Sequence, residues 1–375
     1  MRLTLVSPFD PSPPMGSGGS ERVGGVERVF AQASRILAQR GHDVTLLCST
    51  SGAPSSLVEH GVQVVRVPRS ATILQAPLAF LARSIPSDSD VVHVAATYPF
   101  TTPGVLRRAH NLGIPSVLDF HFEPSSGSAV GRLAASVYRR IGPRDYPLAA
   151  VALVRSMAYG HNSPSLGGVP ASRWRVVPNG IDPEHFTPDG PAHAGSYLLF
   201  VGRLVHYKGL PVLLDAVATL RPRVPLVIAG DGPLRASLQA QARRLGLDVR
   251  FLGRVPDADL PSLYRGARLT VLPSVTCQEA FGISLLESMA CGTPVVASRL
   301  PGVAELAGLG GLVAEPGDAT DLAARLSTAL DDDALPCGKP LASAIHAAYS
   351  WQAVADRLES VYREVADQTD PLQVA

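Results

Sequence analysis

Two carboxylates eight positions apart, Glu279 and Glu287, lie in a stretch that reads as loop, helix and strand in succession. Leu269 to Leu272 is an apolar run of strand length, Ile283 to Ala290 is helical in character, Gly292 and Pro294 stop that helix, and Val295 to Ser298 is a second buried strand. The first carboxylate therefore falls in the loop and the second about one turn into the helix, so both can border one ligand. The helix opens at Gly282 and Ile283, where unpaired N–H groups and the positive dipole end suit a phosphate or diphosphate. Carboxylates beside such a site suit hydroxyls, because an ionised carboxylate accepts both hydrogen bonds of a diol and charged acceptors make the stronger bonds. Taken singly, a loop Glu and a helix Glu are ordinary solvated groups. Their placement around one helix start points instead to a ligand with both hydroxyls and phosphates, as in a nucleotide sugar.

Cations stand where such a ligand needs them. Tyr197 to Val201 reads as a strand, Gly202 to Gly209 as a loop and Leu210 to Leu220 as a helix, with Arg203 and Lys208 just ahead of the helix start. Positive charge is unfavourable at that end of a helix, so something anionic should offset it. A diphosphate would do so, with Arg203 binding bidentately and Lys208 acting as a point charge. Two more strands, Leu226 to Ala229 and Val249 to Leu252, run into Gly230-Asp-Gly232-Pro233 and Gly253-Arg254-Val255 at the same edge of a parallel sheet. Gly230 and Gly232 either let backbone approach a ligand or form a plain turn.

The first half of the chain repeats the alternation. Leu3 to Val6, a Pro/Gly/Ser-rich stretch from Ser7 to Gly25, a helix from Val26 to Gln39 and a strand from Val44 to Cys48 make a βαβ unit, with Gly24 and Gly25 at the helix entrance. Strands at Val62 to Val67, Asp90 to Val94 and Ser116 to Phe120 extend an open parallel sheet, and His121 follows directly on a strand end. A lone histidine is more often structural; the strand-end position makes a ligand role its equal. Asp88 and Asp90 precede a strand and so lie at the edge away from a ligand, while Asp257 and Asp259 read as helix-capping acids, so no metal is implied. Between Ser128 and Arg155, Arg132, Arg139, Arg140, Arg144 and Arg155 interleave with Leu133, Val137, Tyr138 and Ile141. Two readings stand for this segment: an ordinary amphipathic surface helix, favoured because Gly142-Pro143 cuts the pattern, or a peripheral contact with an anionic membrane.

The totals bound the rest. A chain of 375 residues exceeds one ordinary core, so two domains are expected, 1–178 and 179–345, with a C-terminal helix in 346–375 packing back towards the first. A net charge of +1 gives no field for nucleic acid. No run approaches the roughly 18 to 20 apolar residues of a spanning helix, and Met1 leads straight into a strand, so the expected location is cytoplasmic. Cys48, Cys277, Cys291 and Cys337 have neither metal-ligand nor disulfide spacing.

Val176-Val-Pro-Asn-Gly-Ile-Asp182, Phe200-Val-Gly-Arg-Leu204 with Lys208-Gly209, Gly230-Asp-Gly-Pro233 and the Glu279/Glu287 pair resemble, in this order, the signatures of retaining glycosyltransferase family 4. Gly24-Gly-Val-Glu27 and His121 are similar to that family's glycine loop and active-site histidine. The resemblance implies the α/β GT-B fold, two Rossmann-like domains with parallel sheets facing across a cleft. It implies a hexosyltransferase that moves a sugar from a UDP- or GDP-linked donor to a hydroxyl acceptor in a polysaccharide, glycolipid or natural-product glycoside, without metal or other cofactor. Catalytic roles then go to His121, Arg203, Lys208 and Glu279. Glu287 would hold the ribose hydroxyls, and Phe281, Gly282 and Ile283 would offer N–H groups to sugar and phosphate. Arg254 and Val255 would border the base, with Gly24, Gly25, Gly202, Gly230 and Gly232 giving backbone access. The chain departs from the family pattern at Asp119 and in the long insertion from Ser7 to Gly24. The alternatives are a sugar-nucleotide epimerase of the same fold, a phosphorylase or a non-catalytic sugar-nucleotide-binding scaffold. A nicotinamide oxidoreductase is disfavoured, since no G-x-G-x-x-G follows the first strand.

Overall fold

Unbroken apolar strands alternating with amphipathic helices need cover on both sheet faces, and that requirement produces two α/β units. The computed structural model describes residues 1–11, 25–73, 76–96, 98–123, 136, 138–140, 142–166, 168–331 and 335–368. One unit comprises Met1–Pro178 with Trp351–Ala375, the other Asn179–Ser350.

The first unit contains β1 (Arg2–Phe9), β2 (Asp43–Thr50), β3 (Ser55–Glu59), β4 (Val62–Pro68), β5 (Ala71–Ile73), β6 (Ala76–Leu78), β7 (Val91–Ala95), β8 (Ser116–Asp119), β9 (Val151–Val154) and β10 (Trp174–Val176). Eight of them form one sheet in the order β10-β9-β8-β7-β1-β2-β4-β3, and β5 pairs with β6 in a separate hairpin. Within the large sheet only β3 runs antiparallel to its neighbour. The helix Gly25–Gln39 buries Phe30, Ala33, Ser34 and Leu37, one stripe at helical spacing. The helix Trp351–Asp367 buries Val354, Leu358, Val361, Tyr362 and Val365 in the same core, beside Phe30 and Val91.

The second unit holds β11 (Tyr197–Val201), β12 (Leu226–Ala229), β13 (Val249–Gly253), β14 (Ala267–Leu272), β15 (Val295–Ser298) and β16 (Gly311–Ala314). All pairs are parallel, in the order β13-β12-β11-β14-β15-β16. This is the doubly wound order of dinucleotide-binding sheets, and the winding reverses between β11 and β14. Ligands of such sheets lie beyond the strand C-termini at that reversal.

Several elements differ from the sequence reading. The strands β3 and β5 have no buried residue and β6 is only three residues long, so no hydrophobic pattern marks them. The helix Gly338–Tyr349 is a further element that the sequence reading does not contain. The segment ending at Arg155 is not one amphipathic helix: Gly142–Leu148 is a 3₁₀ turn and Val151–Val154 is β9 in the sheet. Arg155 itself is buried and ion-paired, which removes it from any membrane-facing surface. Residues 128–135, 137 and 141 of that segment lie outside the described residues. Asp259 occupies the N-cap of the helix Leu260–Gly266, yet its side chain makes no capping bond. Asp88 and Asp90 pair with Arg2 at the start of β7. Among the described residues no helix is long and apolar enough to cross a membrane, and no cluster of three metal-ligating side chains occurs.

Candidate active site

The loops that follow β11 and β14 leave the sheet at its point of reversal and are tied together there. Val275 N–H donates to the Tyr207 carbonyl at 2.8 Å, which sets loop 202–209 against loop 273–282. Lys208 Nζ then donates to Glu279 Oε2, and Ser274 Oγ donates to the same oxygen at 3.2 Å. The two charged side chains are 13% and 11% exposed. Burial works against the Lys208 charge, but the Glu279 carboxylate and the Tyr207 phenol outweigh it and hold the ammonium above its ordinary range. The anion that the sequence reading sought for Lys208 is therefore supplied from within, by Glu279. Arg203, on the same loop, is exposed and has no ion-pair partner among the described residues.

Local backbone chemistry shapes the surroundings. Gly282 caps the helix Ile283–Ala290 in the left-handed region, at φ +86°, where a Cβ would also press on Leu272 and Leu285 at 3.0 Å. Phe281 is buried, its ring 6.3 Å from that of Tyr349, and Ile283 packs on the core. Glu287, one turn into the helix, accepts the Tyr264 O–H at 2.6 Å. Burial, reinforced by the Glu287 charge, pushes the Tyr264 phenol far up, so it remains a donor. The loop after β12 folds onto that after β11: Gly202 N–H donates to Ala229 and Leu204 N–H to Asp231, both at 3.0 Å. At Gly230, φ is +144° and a Cβ would stand 1.9 Å from the Gly202 carbonyl oxygen; at Gly232 a Cβ would stand 2.5 Å from that of Leu204. Both glycines thus serve loop-on-loop packing. After β13, Arg254 is exposed and Val255 is partly buried against the core.

In the first unit, His121 lies just past the end of β8, and Gly25 is the exposed first residue of its helix; Gly24 falls outside the described residues. His121 is buried with Phe30, the ring centroids 5.8 Å apart. Burial lowers its pKa to about 4, against the opposing charge of Glu27, so the ring is neutral near pH 7. Sequence reasoning did not foresee what surrounds it. Asp119 pairs through Oδ1 with Arg155, and its Oδ2 lies 3.0 Å from His121 Nε2 and 3.2 Å from His93 Nε2. The signal was present in the strings Val91-Val-His-Val94 and Val117-Leu-Asp-Phe-His121, whose polar residues interrupt buried strands.

The second unit sets Lys208 and a helix start beside two carboxylates, and the first unit by itself holds a buried neutral imidazole. The family profile described as "Glycosyl transferases group 1" matches residues 183–361, and "Glycosyltransferase Family 4" matches residues 23–185. The D-rhamnosyltransferase WbpZ of Pseudomonas aeruginosa is 31% identical over 295 residues, 75% of each chain. The phosphatidyl-myo-inositol mannosyltransferase of Mycobacterium tuberculosis is 30% identical over the whole of both chains. Among solved structures, sucrose-phosphate synthase from Thermosynechococcus elongatus superposes with a TM-score of 0.72 at 22% identity, covering 98% of this chain and 99% of that one. Anabaena HepE in complex with UDP and glucose gives 0.69 at 20% identity, covering 97% and 100%. The chain belongs to the group 1, family 4 glycosyltransferases and is built from their two Rossmann-like domains of the GT-B fold.

Proposed function

We propose that the protein transfers a hexose from a nucleoside diphosphate sugar, UDP- or GDP-linked, to a hydroxyl acceptor with retention of anomeric configuration and without a bound metal. The observation that carries this reading is the conjunction at the β11/β14 reversal: Lys208 held by Glu279, Arg203 without an ion partner among the described residues, and the start of the helix Ile283–Ala290. Breaking the bond from anomeric carbon to phosphate builds negative charge on the diphosphate and positive charge on the sugar. Preorganised cations and N–H groups at the diphosphate lower that barrier. Arg203 grips the diphosphate, Lys208 faces it from the Glu279 pair, and Glu287, steadied by Tyr264, accepts the ribose hydroxyls. Glu279 keeps a second oxygen for sugar hydroxyls. His121 meets a sugar hydroxyl as a neutral ring.

A donor of this class is supported by the structural neighbour solved with UDP and glucose, and a lipid or glycan hydroxyl acceptor by the relatives described as phosphatidyl-myo-inositol mannosyltransferase and O-antigen chain mannosyltransferase B. The test is a thermal-shift panel of UDP, GDP, ADP and their sugar conjugates in EDTA. A ligand at about 100 times its Kd adds roughly 2.7 kcal/mol to stability. Stabilisation by one nucleotide, followed by NMR of the anomeric proton in donor turnover, would show base and stereochemistry. Silence to all of them, or a strict requirement for added metal, would overturn the reading.

A further inference from the structure

Beneath His121 a carboxylate sits between two imidazoles. Asp119 Oδ2 lies 3.0 Å from Nε2 of His121 and 3.2 Å from Nε2 of His93, while its Oδ1 takes Arg155. Arg155 Nη1 donates to the Val177 carbonyl at 2.7 Å, and Asp119, His93, His121 and Arg155 are all buried. The carboxylate is therefore pinned from its far side. Neither ring nitrogen is lined up with Oδ2 for a hydrogen bond, so the oxygen acts on both as a nearby negative charge. A charge at that distance repels a ring lone pair and attracts an N–H, and inside a protein the preference is not screened by water.

His93 is compatible with the same arrangement at its other nitrogen. Its Nδ1 lies 2.6 Å from the Tyr362 hydroxyl. With the proton of His93 on Nε2, facing Asp119, Nδ1 accepts that hydroxyl's hydrogen. The same oxygen faces the same nitrogen of His121.

We propose that Asp119 is a positioning residue that holds His121 as its Nε2–H tautomer, so that Nδ1 meets a donor-sugar hydroxyl as a hydrogen-bond acceptor. This rests on the reading of His121 as a sugar contact. It sets a rule for the ligand: the hydroxyl at His121 must donate. A deoxy or fluoro sugar at that position, which cannot donate, loses the contact.

The experiment uses the full-length protein labelled with ¹⁵N-histidine, with the His121 signals identified by their loss in His121→Gln. Long-range ¹H–¹⁵N spectra at pH 7 should show His121 protonated at Nε2 alone. A proton on Nδ1, or an even mixture of tautomers, overturns the proposal whatever the enzyme's substrate. The variant Asp119→Leu/Arg155→Met removes both charges together, so neither is left buried without its partner. In it the tautomers should mix, and the Kd of the nucleotide sugar should rise about fivefold or more, the worth of one neutral hydrogen bond. The Kd of the free nucleoside diphosphate should stay unchanged. A folded double variant that keeps the Nε2–H tautomer and full donor affinity also overturns it. Failure of the wild type to bind any nucleotide sugar would sink the functional reading instead, leaving the tautomer measurement to decide the role of Asp119.

Discussion

Replacing Lys208 by Met separates the neutralisation of Glu279 from the proposed binding of a diphosphate. The side chains of the pair are about nine-tenths buried. Removing one partner of a buried pair typically costs about 3–5 kcal/mol, most of it the stranding of the other charge. Here Ser274 Oγ continues to donate to Glu279, so Lys208→Met should fall at or below the low end, about 2–3 kcal/mol. For a unit of this size that is a drop of roughly 5–10 °C in melting temperature. Adding Glu279→Gln removes the stranded charge while leaving an oxygen for Ser274, and should restore most of the stability. It should not restore nucleoside diphosphate binding, because in the proposed function Glu279 serves the sugar and Lys208 the phosphates. A charge-assisted bond of about 1.5–3 kcal/mol predicts a Kd weaker by roughly 10- to 100-fold in single and double variants alike. Calorimetric titration with the nucleotide found in the thermal-shift panel measures it. If the double variant binds the nucleotide as tightly as wild type, Lys208 serves only to neutralise Glu279 and the diphosphate assignment is wrong.

Three further outcomes follow from the same geometry. Gly230→Ala places a Cβ 1.9 Å from a backbone oxygen at φ +144°, so it should lower the urea midpoint by more than about 2 kcal/mol equivalent, and a wild-type midpoint would show that the two loops are not packed as described. Tyr264→Phe removes the donor to Glu287 and should weaken nucleotide binding by about 1 kcal/mol, roughly fivefold, with the far-ultraviolet circular dichroism unchanged; an equal loss with free diphosphate would place Glu287 away from the ribose. Burial, with the charges of His121 and Arg155 adding to it, lowers the His93 pKa to about 3, and burial takes His121 to about 4, while both titrate near 6.5 when unfolded. Unfolding below pH 6.5 therefore takes up protons, and stability declines towards pH 4 by at most about 1.4 kcal/mol per pH unit for each ring. His93→Gln should make the decline of the urea midpoint between pH 7 and 4.5 shallower, and an unchanged slope would mean that His93 is not held neutral.

What could be read from the chain alone was what is local in it. The strand ends of the second unit carry their own punctuation: Gly202, Gly230 and Gly282 fall where a strand or loop turns into the next element, and Arg203, Lys208 and Glu279 stand in the loops between. The pairing of those loops is another matter. Lys208 and Glu279 are 71 positions apart, and nothing in either neighbourhood announces the other. His93 and Tyr362 are 269 positions apart, joined by a strand on one side and the final helix on the other. Arg155 was misread because its neighbours Arg139, Arg140 and Arg144 suggested a surface, whereas the four apolar residues of β9 carry it into the sheet. Charge density along a sequence reports solvent exposure only while the chain stays on one face, and β9 breaks that condition.

The first unit is discontinuous in sequence, since its core is completed by the helix Trp351–Asp367, while Asn179–Ser350 is one uninterrupted stretch. During synthesis the ribosome delivers Leu3, Phe30 and Val91 long before Val354, Leu358 and Tyr362 arrive to cover them. The second unit receives all of its own strands and helices before that helix is made. The nascent chain should thus mature out of order, the later-made unit reaching its final packing first, with the apolar surface around Phe30 and Val91 awaiting its cover. A chain stalled before Trp351 would display that surface, and chaperone dependence should concentrate there.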